Sequence, residues 1–395
     1  MPLLLASLLA AAPAVEVGLE RVQAEGGGPL RGKRVGLLAH AASVEAGGRH
    51  AIDVLRASGV DVRRLFGPEH GLRSDAAAGE TVRSGVDPES GLPVVSLYGE
   101  KTKPAPEDLR GLDALVVDLQ DAGVRFYTYV STMIRCLEAA AEAGVEVVVL
   151  DRPNPLGGER IEGPARDPAR PPSLVSLAPG PLVHGLTFGE MARLVNGGLG
   201  KPARLTVVPM RGWKRGMVWT DTRRPWVPPS PNLRSAEAAL AYPGVCLLEA
   251  TNVTEGRGTE APFLRLGAPW LKPEETARAV RVAGFHLEPT SFTPSASPSA
   301  PSPKYAGEAC RGLRVRVTDA RAARPYALGV GLLHALRRLH PEFRWTREGS
   351  GLDRLLGTPR VREALERGEP AEAVLEADRR DLEAFARERK PALLY

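Results

Sequence analysis

Cysteine is scarce in this chain. Cys136, Cys246 and Cys310 are the three, far apart, with no C-x-x-C. An odd, scattered set builds neither a disulfide framework nor a thiolate zinc site, so the three read as small buried hydrophobes. Histidine is sparse too. Seven are dispersed over 395 residues, which argues against a His-rich metal site, and no cofactor or metal is expected. Excess charge is small: +5 on 52 basic and 47 acidic groups, which does not argue for a nucleic-acid partner. No apolar run reaches the roughly 18 residues of a membrane span, so no integral membrane segment is expected. Phosphate-binding loops are missing as well. Gly197-Gly198-Leu199-Gly200-Lys201 runs into Pro202 where a P-loop needs Ser or Thr, and no G-x-G-x-x-G follows the first strand. There is no H-E-x-x-H and no G-x-S-x-G elbow.

What is present is an ordinary globular balance, 43% hydrophobic and 25% charged. The length suggests two or three domains. Arginine outnumbers lysine by 44 to eight. Arginine suits bidentate recognition of carboxylate or phosphate, but it is also what a GC-rich coding sequence writes by default. The first residues form a short apolar stretch ending in Ala12-Pro13-Ala14, a small-x-small pattern that fits signal-peptide cleavage. Residues 1–16 are therefore expected to be a signal peptide and the protein to be periplasmic or extracellular. No Lys or Arg precedes the stretch, so the competing reading is an apolar N-terminal strand or a mis-assigned start, with a cytoplasmic protein.

From residue 30 to 210, short apolar runs alternate with helical patterns. Strands are expected at Arg34–His40, Val62–Phe66, Val94–Tyr98, Ala114–Leu119, Val145–Leu150 and Leu205–Pro209. Several are continuously apolar, as strands buried on both faces of a parallel sheet should be. The clearest helix is Thr128–Ala143, where Val130, Met133, Ile134 and Leu137 share one face and Gly144 sits at the C-cap. This alternation defines a doubly wound α/β domain over 17–248. From about 249 the texture changes to a smaller α/β or α+β domain, 249–395. Its segment Pro289–Pro303 is rich in Pro and Ser and reads as an extended loop. After that come a strand at Leu313–Thr318 and helices around 328–339, 360–367 and 372–389.

In open parallel sheets, ligands bind beyond the carboxyl ends of the strands. There the sequence delivers Gly67-Pro68-Glu69-His70-Gly71, then Gln120-Asp121-Ala122-Gly123-Val124-Arg125-Phe126-Tyr127, then Asp151-Arg152-Pro153-Asn154-Pro155 and Glu162-Gly163-Pro164. Three strands thus send carboxylates, Arg, Tyr and Asn to one edge. Each residue has a plainer reading. Glu69 and His70 fit a tight turn, and Asp118 or Asp121 a helix cap. Asn154 fits a proline-bounded turn, and Glu162 a surface loop. Asn252, Glu255 and Arg257 lie in a Gly-rich segment that must turn sharply or approach something closely. With the other chemistries excluded, carboxylate-based catalysis remains, and glycoside hydrolysis is the commonest reaction that needs only two carboxylates.

These motifs resemble the exo-β-N-acetylmuramidase (NamZ-type) family, formerly a domain of unknown function. The resemblance runs over nearly the whole chain after the first twenty or so residues. It is carried by Leu65-Phe66-Gly67-Pro68-Glu69-His70-Gly71, Ser96-Leu97-Tyr98-Gly99, Asp118-Leu119-Gln120-Asp121 through Tyr129, Asp151-Arg152-Pro153-Asn154-Pro155, Pro229-Ser230-Pro231-Asn232-Leu233 and Thr251-Asn252-Val253-Thr254-Glu255-Gly256-Arg257. It implies a Rossmann-like domain with a smaller C-terminal domain and an active site in the cleft between them. It further implies release of one N-acetylmuramic acid from the non-reducing end of peptidoglycan fragments. Glu69 falls on the family's glutamate and is expected to be the principal catalytic carboxylate. Glu162 is the first choice for the second, with Asp118, Asp121, Asp151 and Glu255 as rivals. Arg125 or Arg73 is expected to grip the lactyl carboxylate and Tyr127 or Tyr129 to line the sugar. His70, Asn154, Asn252 and Arg257 complete the expected substrate-binding set. Retaining, inverting and substrate-assisted routes stay open. A non-catalytic muropeptide-binding protein and another carbohydrate-active enzyme, such as a deacetylase, remain alternatives. The Pro/Ser run lengthens this chain relative to the family pattern at one rim of the cleft.

Overall fold

In the computed structural model, which describes residues 14–74 and 76–395, the apolar runs become a seven-stranded sheet. Its strands are β1 (Arg34–Ala39), β2 (Asp61–Gly67), β3 (Gly85–Val86), β4 (Pro93–Ser96), β5 (Ala114–Asp118), β6 (Glu146–Leu150) and β7 (Leu205–Val208), in spatial order β3-β4-β2-β1-β5-β6-β7. All pairs are parallel except β3 with β4. Burial on both faces explains the continuous apolar runs. Leu38 of β1 packs into a cluster on one face, while Val35, Leu37 and Ala39 pack on the other. The Thr128–Ala143 helix forms as its periodicity requires, and Gly144 ends it at a φ of 70°.

The C-terminal part carries a second, antiparallel sheet of β8 (Arg265–Ala268), β9 (Phe285–Phe292) and β10 (Cys310–Val317), in order β8-β10-β9. Two of these strands depart from the sequence reading. β8 was not anticipated, and β9 takes in the first residues of the Pro/Ser segment. Pro289 is tolerated because β9 is an edge strand, where a missing N–H costs no ladder bond. The helix expected at 372–389 is two, Ala371–Glu376 and Arg379–Glu388. Between them Asp378 turns inward and accepts from Arg360 at 2.5 Å. The cluster on the outer face of the first sheet continues into the C-terminal helices, through Tyr326, Leu333 and Phe385, so the two parts share one core.

Of the expected leader, residues 1–13 lie outside the described residues. Val15 is buried against Met210 and Trp213, and its N–H donates to the Thr222 carbonyl. Among the described residues no helix is long and apolar enough to cross a membrane.

Candidate active site

The strand order reverses between β1 and β5, the place where an open parallel sheet leaves a crevice. Here the crevice is filled by protein. The His40 ring bonds the Pro229 carbonyl through Nδ1 at 3.3 Å, and its Nε2 accepts from the Gln120 N–H at 2.9 Å. That fixes a neutral tautomer, consistent with burial and Arg152 holding the imidazole well below its ordinary value. Tyr129 donates to the same Pro229 carbonyl at 2.6 Å. The 229–233 loop is thereby laid across the sheet edge, and it delivers Ser230 and Asn232 to a cavity next door, beyond the end of β2.

That cavity, of about 260 Å³, is built around Glu69. The turn after β2 closes with the Gly71 N–H on the Pro68 carbonyl at 2.9 Å. His70 takes a left-handed φ of 70° and is anchored through Nδ1 to the Ala76 carbonyl at 2.9 Å. Glu69 then projects inward and is held on both oxygens. Oε1 accepts from the Gly79 N–H at 3.0 Å, and Oε2 from the Thr128 hydroxyl at 2.6 Å. Tyr98 also bonds this carboxylate. Burial and the Glu69 charge both push its phenol upward, so it stays a donor. Thr128 begins the Thr128–Ala143 helix, so Glu69 stands at the positive end of that helix.

The opposite wall comes from the C-terminal part. Arg257 lies 5.0 Å from the centroid of Phe263, bonds Glu249, and reaches Glu255 at 2.8 Å. Glu255 is buried. Against the upward push of burial, Lys304 and Arg257 hold it below the usual carboxylate range. Two polar groups of residues lining this cavity carry no protein partner, the Asn232 Oδ1 and the Arg257 Nε. Asn232 is 3% exposed and spends its NH₂ on the Ser299 carbonyl at 2.7 Å, while its Oδ1 has no partner. Unpaired buried acceptors and donors of this kind are costly unless a ligand meets them.

The structure gathers only part of the expected site. Glu69, His70, Tyr127 and Arg257 line the cavity, and Glu255 stands behind Arg257. The others do other work. Arg125, fully buried, donates to the carbonyls of Pro164, Gly180 and Leu356, and so ties the two parts of the chain together rather than gripping a ligand. Arg73 forks onto Asp87 at 3.0 and 3.1 Å, away from the cavity. Asp118 is consumed by Arg152 at 2.5 and 2.8 Å. Asp121 accepts from the Gly123 N–H at 2.7 Å and closes a turn. Asp151 accepts from Thr187, Gly189 and Tyr395, each at 2.7 Å. Asn154 accepts from the Leu156 N–H and donates to the Leu186 carbonyl, both at 2.9 Å. Asn252 ties its loop to Glu342 and Arg344, each at 2.8 Å.

Glu162 lines a different cavity, of about 420 Å³, with Arg160 and Arg324. Its Oε2 accepts from the Tyr326 N–H at 3.0 Å, and the Ala327 N–H bonds it too. It therefore caps the Pro325–Leu339 helix, whose own N-cap, Arg324, supplies no side-chain cap. Burial pushes its carboxyl up to about 7, against Arg324 and Arg160. A raised carboxyl in a cleft is a common mark of a general acid. Here the two backbone donors account for its position without a substrate.

Sequence reasoning passed over Tyr98, Thr128, Asn232 and Glu249 as site residues. Tyr98 had a signal, since it follows β4 as Glu69 follows β2. Asn232 stood in a recognised motif. Glu249 sits in the single turn Cys246–Ala250, which has no periodicity to flag it.

Fold and site together define a two-part α/β protein with a cavity the size of one sugar ring, a doubly anchored carboxylate and a facing arginine. That is the layout of a saccharide-processing enzyme. The comparisons with known proteins give the family. The model for the N-terminal domain of exo-β-N-acetylmuramidase NamZ matches residues 35–237, and that for its C-terminal domain matches 240–395. The chain belongs to this family. It is 41% identical over 388 residues to the peptidoglycan β-N-acetylmuramidase NamZ of Bacillus subtilis (strain 168), covering 97% of this chain and 92% of that one. Two crystal structures of DUF1343-family proteins from Bacteroides fragilis share the fold. One matches with a TM-score of 0.88 at 33% identity, covering 98% of this chain and all of that one. The other matches with a TM-score of 0.79 at 32% identity, covering 97% and 99%.

Proposed function

We propose that this chain is an exo-acting glycosidase that removes a terminal N-acetylmuramic acid from peptidoglycan fragments, with Glu69 as the general acid. The observation that carries the reading is Glu69 itself, fixed by Gly79, Thr128 and Tyr98 at the edge of a one-sugar cavity. In this reading Glu69 gives its proton to the glycosidic oxygen as the anomeric C–O bond breaks. Water supplies the hydroxyl of the released sugar and restores the proton. A cavity of about 260 Å³ lies below the range for larger ligands, which suits release of single sugars. Arg257 replaces Arg125 and Arg73 as the cation for the lactyl carboxylate, because it lines the cavity that holds Glu69. Glu249 and Glu255 orient that guanidinium. Asn232, on the cavity wall, is the candidate partner for the acetamido group.

The substrate class and the apolar stretch ending in Ala12-Pro13-Ala14 support a location outside the cytoplasmic membrane. A cut after Ala14 leaves the Val15 contacts whole, whereas a cut after Glu16 removes them.

The test is product analysis. N-acetylmuramyl-N-acetylglucosamine should be split to its two sugars and the reverse disaccharide left intact. Binding of the first without release of sugar would sink the enzyme reading in favour of a muropeptide-binding protein.

A further inference from the structure

A second cavity, of about 410 Å³, adjoins the Glu69 cavity and shares Ala78, Glu249 and Arg257 with it. Its far wall is the Pro/Ser segment, from Ser299 to Lys304. This segment is fixed in place despite its composition. The Ser295 N–H donates to the Gly258 carbonyl at 2.8 Å, and Asn232 holds the Ser299 carbonyl. Lys304 is anchored on the Leu248 and Val253 carbonyls, both at 2.9 Å. Gly258 has a φ of +80°, and a side chain there would stand 2.7 Å from both Pro303 and the Ser295 carbonyl, so the glycine is what lets the segment close against the active-site loop.

We propose that this second cavity, walled by residues 299–304, seats the leaving sugar of the substrate. The inference rests on the glycosidase reading above. Position argues for it first. Ala78 lines both cavities, and the N–H of its neighbour Gly79 is one of the groups that anchor Glu69. A saccharide bridging the two cavities passes this boundary with its glycosidic oxygen close to Glu69, where a general acid must stand.

Chemistry argues for it second. The walls offer proline rings and alanine methyls for the C–H face of a pyranose, and Glu80, Ser299 and Ser302 for its hydroxyls. The lining holds three carboxylates, Glu80, Glu249 and Glu255, against two cations, Arg257 and Lys304, so it carries no surplus of positive charge to draw an anionic group. A neutral hexosamine fits that lining.

Ser302 is exposed, so Ser302→Trp fills the cavity without touching the core. The test compares kcat/KM on N-acetylmuramyl-N-acetylglucosamine with that on N-acetylmuramyl fluoride, whose leaving group needs no seat. The expected result is a loss of at least tenfold on the disaccharide and less than twofold on the fluoride. An unchanged disaccharide value overturns the proposal, as does a loss confined to peptide-bearing muramides. If both substrates suffer equally, product inhibition by free N-acetylglucosamine decides. Inhibition weakened at least fivefold upholds the seat, and unaltered inhibition overturns it. Wild-type protein inert toward both substrates would instead remove the glycosidase reading on which the proposal stands.

Discussion

Glu69 and Glu162 are both carboxylates on loops after parallel strands, both face cavities, and both stand at the N-terminus of a helix. They differ in what holds them. Glu69 is met by a hydroxyl, a phenol and one loop N–H, and it opens onto a cavity with unpaired polar groups. Glu162 is met by two N–H groups of a helix from the other part of the chain and is flanked by Arg160 and Arg324. The first arrangement leaves a carboxylate facing a cavity. The second uses the carboxylate to complete a helix end across an interface. The raised carboxyl of Glu162 marks its burial, and only its partners tell which role it serves.

The largest expected effect separates the two directly. Glu69→Gln should lower kcat by about 10²- to 10⁴-fold on the disaccharide, the usual contribution of general acid catalysis, with the melting temperature little moved. Glu162→Gln should retain kcat within a few-fold. Steady-state kinetics on both variants would reverse the comparison if Glu162→Gln were the inactive one.

Next in size is Arg257→Lys, which keeps a charge for Glu249 and Glu255 and loses the planar fork. KM for a muramic acid substrate should rise about ten- to hundredfold, as expected for a lost charge-assisted bond. The matching glucosamine substrate, without the lactyl group, should be nearly indifferent to the change. Equal effects on the two would remove Arg257 from recognition of the lactyl group.

Glu162→Ala probes the other half of the comparison. It leaves the Tyr326 and Ala327 N–H groups and two guanidiniums without their carboxylate. The cost should be about 1–3 kcal/mol of stability, read by denaturant unfolding, with kcat/KM on the disaccharide close to wild type. A stability change near zero would leave the burial of Glu162 without a structural account.

The contrast also shows what the sequence makes legible. Every expected strand of the first sheet is present, because strands buried on both faces write uninterrupted apolar runs. Thr128–Ala143 was legible because one face is apolar at helical spacing and a glycine follows. β8 was not, being only four residues long, and β9 was not, since it is half-exposed and Pro289 interrupts it. That Glu69 lines a cavity was legible from its place after β2. The role of Glu162 was not, because its partner, Tyr326, lies 164 residues away in the chain. Arg125 misled for the same reason, its carbonyl partners being set by the tertiary fold rather than by any local pattern.

The smallest expected effect is a pH dependence that belongs to Glu162 alone. Burial raises its carboxyl from 4.5 to about 7, so between those values the folded protein holds a proton that the unfolded chain has released. Stability contributed by this group is therefore present at pH 4.5 and is lost as the pH climbs through 7. Asp151, raised to about 6, acts in the same sense. His40, His50 and His70, each lowered chiefly by burial, act in the opposite sense, because the unfolded chain protonates them first. The pH profile of the wild type alone thus mixes both signs, and the difference between two proteins isolates one. The melting temperature of Glu162→Gln minus that of wild type, followed from pH 5 to pH 8, should climb by a few degrees, because only the wild type must bury a new charge. Asp151 and the three histidines cancel in that subtraction. A flat difference would mean that Arg160, Arg324 and the two backbone donors already hold Glu162 ionised at pH 5, making it a charged cap throughout.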